Sequence, residues 1–219
     1  DWRRENPTAD RNEFAFSLRH MSKAGALFDL LKLTDISKTY ISTLTADEVY
    51  DSVLEWANEY DKSFAEKTTE NPEYAHKIFG IERGNEKPRK DIAKWEDVPE
   101  YVSYFYTLPS FDEFPENLSK QDMLKIIEEY KNVYSPDETS DEWFPKVRDM
   151  SERLGYAKAP KFYKKNPEEF KGHVGDVSTV LRVAVTGRRN TPDLYQIFKV
   201  LGYEEVMKRL NLAAEALNS

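Results

Sequence analysis

The chain has no cysteine. That excludes disulfides and thiolate metal sites, and it fits a reducing cytoplasm. Histidine is nearly absent too: His20, His76 and His173 are the complete set, and no two share a helical turn. A zinc site is therefore not expected. Glycine is scarce, at 8 of 219 residues, which disfavours a turn-rich β protein. No apolar run approaches the roughly 18 residues that a membrane span needs. No secretory signal pattern opens the chain. Neither of the glycine-rich phosphate loops, G-x-x-x-x-G-K-[ST] and G-x-G-x-x-G, is present. Nothing marks a nucleophile, base and acid set, so no catalytic residue is assigned. The first residue is Asp1 rather than methionine, so a fragment of a longer protein is expected.

What is present is charge, aromatic content and helical periodicity. Charged residues make up 33% and aromatics 13%, a composition of wet-surfaced globular domains. The net charge of −8 argues against a polynucleotide partner at first sight, but it is unevenly spread. Between Lys158 and Arg189, eight Lys or Arg face only Glu168, Glu169 and Asp176. A local basic surface of that kind can hold phosphates while the rest of the chain stays acidic. Ordinary surface fluctuation is the alternative reading of such a run.

Thr45 to Glu48 forms a capping box, leading into Val49, Val53, Ala57, Tyr60 and Phe64 on one helical face. Asn71-Pro72-Glu73 opens a second helix. A third is expected over Val98–Tyr106, after the basic break Lys87–Lys94. Ser119 caps a fourth, and Thr139 to Glu142 opens a fifth that runs to Gly155. Helices follow near Ser178–Val185, from Leu194 to Gly202, and from Val206 onward. No alternation of period two persists, so the fold class is all-α, with two consecutive helical bundle or cage domains. The expected divisions are an irregular connecting segment over 1–44, one helical domain over 45–115 and another over 116–219, parted by the Pro109–Pro115 loop.

Leu181 to Gly202, L-R-V-A-V-T-G-R-R-N-T-P-D-L-Y-Q-I-F-K-V-L-G, is the most informative stretch. Arg182, Arg188 and Arg189 precede a helix start at which Thr191 reads as N-cap and Pro192 as first helical residue. Free N–H groups there would attract an anion such as phosphate. Three further motifs lie upstream: F-A-F-S-L from Phe14, M-S-K-A-G-A-L-F-D from Met21 with Lys32-Leu33 beyond it, and K-P-R-K-D from Lys87. Together with K-G-H-V-G-D-V-S-T-V-L-R-V-A-V-T-G-R-R-N-T-P-D-L from Lys171, these strings resemble the C-terminal part of bacterial glutamyl-tRNA synthetases. The likeness spans nearly the whole chain, and L-R-x-A-x-T-G followed by T-P-x-L is its most specific part.

The resemblance implies a tRNA anticodon-binding module for tRNA-Glu, from a cytoplasmic and monomeric glutamate–tRNA ligase. It implies that this part is non-catalytic, because the H-I-G-H-like motif and nucleotide-binding sheet are missing. ATP and Mg would belong to the catalytic part, leaving this segment without a cofactor. Arg182, Thr191, Pro192 and Leu194 correspond to positions that meet the anticodon. Arg89 corresponds to an arginine that reads the third anticodon base, favouring C over G, with Lys87 or Arg83 as alternatives. Lys87, Lys171, Arg188 and Arg189 are weaker candidates for the tRNA backbone. Guanidinium suits such work because it offers a donor fork and a stacking plane.

Each residue also has a plainer reading. Thr191 can simply cap a helix, Leu194 can be core, and Arg182 can be a buried structural ion pair. Tyr163 and Tyr195 can stack on bases or pack in a core. Met21-Ser22-Lys23 is similar to the ATP-contacting signature of class I synthetases, but no βαβ unit precedes it, so it reads as a structural turn. A helical protein-interaction module unrelated to tRNA is the competing function, and a small hydrolase with dispersed residues is a third.

Overall fold

A computed structural model describes residues 2–20 and 28–218. The Met21–Gly25 turn lies outside the described residues. Among those described, the protein is all-helical, and its one β pairing is an isolated parallel bridge between Ala157 and His173. After α1 (Trp2–Glu5), the first bundle comprises α2 (Leu30–Thr43), α3 (Ala46–Tyr60), α4 (Lys62–Glu70), α5 (Pro72–Gly80) and α6 (Val98–Tyr101). The second comprises α7 (Lys120–Val133), α8 (Ser140–Arg153), the short α9 (Pro160–Lys165), α10 (Val174–Thr186), α11 (Leu194–Leu201) and α12 (Tyr203–Asn218). No described helix is long and apolar enough to cross a membrane.

Local chemistry explains most helix starts. Thr45 and Glu48 exchange both bonds of the capping box, and Asn71 and Ser119 accept from the backbone N–H groups of Tyr74 and Asp122. The single helix expected over Thr45–Phe64 is two. The backbone turns at Asp61, whose carboxylate accepts from the Phe64 N–H and starts α4 anew. The helix expected over Val98–Tyr106 shortens to α6 followed by a 3-10 turn at Ser103–Phe105, which drives Tyr104 and Phe105 into the core. Helix α10 begins four residues before Ser178. His173 caps it by accepting from the Gly175 N–H at 3.0 Å, while Asp176 accepts the His173 N–H at 2.8 Å.

Within the first 44 residues, α2 runs for 14 residues where sequence periodicity indicates none. The reason is its surface. Leu30, Leu31, Leu33, Ile36 and Tyr40 are all exposed, and only Ile41 and Ser42 are buried. Ile41 enters the same core as Val49, Val53, Ala57, Ile78 and Phe105.

Each bundle has its own core, and α11 belongs to both. Leu194 and Phe198 pack among Ile126, Tyr130, Leu181 and Leu210 of the second bundle. Ile197 enters the first core. Positions i, i+3 and i+4 form one apolar stripe about 100° wide, and its edges meet the two cores, so α11 wedges the bundles together.

Arg209 supplies a second tie. It is 2% exposed and donates to Tyr104 O at 2.6 Å, Val185 O at 2.8 Å and Thr107 O at 3.2 Å. Val185 O is one of the carbonyls that the end of α10 leaves without a helical partner, so the guanidinium satisfies that helix end and the linker at once.

Gly187 closes α10 in the left-handed region at φ 75°, its N–H bonded to Val183 O at 2.8 Å. A Cβ there would lie 2.7 Å from Ser110 O, because the linker between bundles crosses at this point. Gly187→Ala combines a left-handed penalty with a backbone clash. It is expected to cost roughly 2–3 kcal/mol, read as a lowered urea midpoint with unchanged m-value.

Candidate functional site

The arginine-rich segment lies in the seam between the bundles, where α10 ends and α11 begins. Thr191 does not cap α11, and Pro192 is not its first residue. Asp193 caps it, accepting from the Gln196 N–H at 2.9 Å, and the helix begins at Leu194. The displacement follows from Arg182. Its Nη1 donates to Pro192 O at 2.7 Å, to Thr191 O at 3.2 Å and to the Thr191 hydroxyl. Those bonds pin the Thr191-Pro192 turn onto α10 in a non-helical conformation. Thr191 is thereby buried, at 5% exposure.

Arg182 is therefore no ion pair. It is a strut from α10 to the turn, and burial pulls its pKa below the ordinary arginine value. All three bonds use Nη1. Among the described residues, Nε and Nη2 make none, and the side chain is only partly covered.

Arg89 reaches the seam from the first bundle. Asp91 grips it in a fork, Nε–Oδ2 2.6 Å and Nη2–Oδ1 3.1 Å, and Tyr101 donates to the same carboxylate at 2.9 Å. Burial pushes the Asp91 carboxyl up, but these bonds outweigh it and hold it below the usual aspartate range. The bond that Arg89 donates to Asp91 raises the Arg89 pKa in turn. The Arg89 Nη2 also donates to Asn190 Oδ1 at 3.3 Å, so the two sequence-predicted readers, Arg89 and Arg182, flank one turn.

Arg188 completes the set from another side. It bonds Glu100 and the Ser103 hydroxyl (3.1 Å) of the first bundle and lies 5.7 Å over the Tyr104 ring. Burial raises the Tyr104 hydroxyl, and Arg188, Arg182 and Arg89 all oppose that rise. Of the three, Arg188 is the one that lies over this buried ring. Between Arg89 and Pro192 the cleft holds about 40 Å³, enough for a few waters but not for a buried base. A base would have to lie across its mouth.

The other expected residues are distributed differently. Arg189 is spent on the linker, donating to Glu113 O and Phe114 O at 2.7 Å each. Leu194 is 2% exposed and belongs to the second core. Lys87 is exposed beside the seam, and Arg83 is bonded to Phe79 O, Ile41 O and Leu44 O. Lys171 pairs with Asp122 at 2.7 Å and precedes the start of α10. It is thus separated from Arg182 and its neighbours by most of a helix of 13 residues, roughly 20 Å long at ~1.5 Å per residue. The basic run from Lys158 to Arg189 is therefore not one patch. Tyr195 donates to Glu138 O at 3.0 Å and packs on Trp143, while Tyr163 packs edge-on to His173. Among the described residues, no group of three or more His, Asp or Glu could hold a metal.

Glu82 was missed by sequence reading. Its φ of 56° makes it the one described non-glycine residue in the left-handed region, a conformation that costs roughly 1–2 kcal/mol. Its N–H donates to Gln196 Oε1 at 3.0 Å, and its Oε2 accepts the Asp193 N–H at 3.0 Å. The same oxygen lies 3.8 Å from the Arg89 Nε. A carboxylate from the protein itself thus lies beside the cap residue of α11, close to the helix start where a phosphate was expected. A glutamate in a polar turn carries no sequence signal for this role.

The fold and seam define a class: a two-bundle helical protein with paired arginines at the bundle junction. Residues 48–214 match the family model described as "Anticodon binding domain". The chain belongs to that family. It is 41% identical over 212 residues to a glutamate–tRNA ligase of Acetivibrio thermocellus, covering 96% of this chain and 39% of that protein. A glutamate–tRNA ligase of Clostridium perfringens strain 13 is 42% identical over 217 residues, covering 96% and 40%. The chain thus spans about two fifths of the length of these curated relatives. A crystal structure of a glutamate tRNA ligase from Elizabethkingia meningosepticum shares the fold, with a TM-score of 0.56 and 20% identity over 92% of this chain and 35% of that one.

Proposed function

We propose that the chain binds the anticodon arm of tRNA-Glu as part of a glutamate–tRNA ligase working in cytoplasmic protein synthesis. The observation that carries this is the seam: Arg89 and Arg182, one from each bundle, flank the Asn190–Asp193 turn within the family-matched region. In this reading Arg182 holds the turn with Nη1 and keeps the rest of its fork for a base edge. Arg89 reads the third anticodon base, and Arg188 lies over the Tyr104 ring. Exposed Lys87 contributes charge toward the backbone. ATP, Mg and glutamate chemistry belong to the remainder of a monomeric ligase.

The test is binding to tRNA-Glu across a salt series. Affinity is expected to fall steeply between about 50 and 200 mM salt, with a log–log slope near −0.7 per neutralised phosphate for unpaired loop nucleotides. Absence of binding at 50 mM, or a flat salt profile, would sink the proposal.

A further inference from the structure

We propose that Glu82 is a positioning residue that fixes the two base-reading arginines relative to one another. This rests on the anticodon-binding reading given above. Its carboxylate lies between the two sides. Oε2 accepts the Asp193 N–H at 3.0 Å and faces the Arg89 Nε at 3.8 Å, while Asp193 follows the turn that Arg182 holds. The backbone N–H of the same residue donates to Gln196 Oε1, so Glu82 grips the first turn of α11 twice.

The backbone at Glu82 adds an independent argument. A left-handed glutamate persists only where its surroundings over-determine it, and such residues cluster at sites that must be pre-organised. Glycine or asparagine would fit that φ without strain. Neither could place a carboxylate against Asp193 and Arg89 at this reach. What the residue contributes is thus the length and charge of its side chain, held against the preference of its backbone.

The pair of carboxylates at the start of α11, Glu82 on the Asp193 N–H and Asp193 on the Gln196 N–H, also has a consequence for the ligand. Their charge opposes an RNA phosphate there, so the turn discriminates by the placement of Arg89 and Arg182 rather than by drawing in the backbone. Loss of the carboxylate should relax base preference without changing the number of phosphates contacted.

Two variants separate side chain from backbone. Glu82→Gly keeps the N–H and relieves the left-handed φ but removes the carboxylate. Glu82→Gln keeps an acceptor for the Asp193 N–H. The probe is an anticodon stem-loop RNA of tRNA-Glu with C or G as third base, with amide exchange at Asp193 followed in parallel. In Glu82→Gly, preference for C over G should fall about tenfold, the scale of one lost charge-assisted hydrogen bond. The salt slope should stay unchanged and the Asp193 amide should exchange faster, while core amides such as those of Ile127 and Leu210 stay protected. Glu82→Gln should restore Asp193 protection and most of the preference. Retained preference together with a protected Asp193 amide in Glu82→Gly would overturn the proposal. If the unaltered chain binds neither RNA, the anticodon reading fails. The exchange result then stands alone, and a protected Asp193 amide in Glu82→Gly overturns the positioning role of Glu82.

Discussion

Arg209→Ala should lower the unfolding free energy by roughly 3–5 kcal/mol, the scale for removing one partner from a buried charged network. Its guanidinium satisfies Tyr104 O, Thr107 O and Val185 O and pairs with Glu205 at 2.7 Å. Alanine would strand those carbonyls at the point where the linker crosses the end of α10. Domains of this kind are stable by only about 5–15 kcal/mol, so the change is large. Urea unfolding at neutral pH measures it, and a loss below about 1 kcal/mol would show that the network is dispensable.

The same variant should blunt acid sensitivity. Burial pushes the Glu205 carboxyl up, but Arg209 and Lys208 outweigh it and hold it below the ordinary glutamate value. A carboxylate lowered in the folded state stabilises the fold above its unfolded pKa, and that stability is lost as pH falls through the folded value. The parent should therefore lose stability through this group as pH drops below about 4.5, and Arg209→Ala should lose less of it.

Arg182→Ala is the second large expectation, because it has two separable readouts. Removing Nη1 leaves Thr191 O and Pro192 O without their donor, which should cost roughly 2–3 kcal/mol of stability. If Arg182 also reads the anticodon, affinity for tRNA-Glu should fall roughly tenfold to a hundredfold at temperatures where the variant is fully folded. Stability loss with unchanged affinity would make Arg182 a strut and nothing more. Reduced affinity in a folded variant would show that the strut and the reader are one side chain.

The helical class was legible because apolar spacing and caps are local. Thr45, Asn71, Ser119 and Thr139 each open a helix as their residue types predict. Helix α10 was read short because histidine is outside the usual capping set. His173 acts as one through its ring Nδ1, which accepts the Gly175 N–H, while Asp176 accepts the His173 backbone N–H. Helix α2 escaped notice because its apolar residues face outward, so its pattern reports no core of its own.

At the candidate site, residue type was legible and role was not. The sequence marked Arg89 and Arg182 through a resemblance, and both lie at the seam. It also marked Lys171, which lies at the far end of α10, and Arg189, which holds the linker. Adjacency in a charge run does not fix direction in space. A helix of 13 residues carries its two ends roughly 20 Å apart whatever their charges.

An all-helical chain with two apolar clusters, capped starts and an arginine-rich turn between α10 and α11 is written in the residue order. Those follow from periodicity and from donors and acceptors within four residues of each other. Which groups the arginines meet is settled by packing. Residues 82 and 193, 89 and 190, or 104 and 209 are brought together by packing, and no local rule links them. The anion expected at the start of α11 was a sound inference from helix chemistry. Packing instead brings the protein's own Glu82 carboxylate beside the cap residue Asp193.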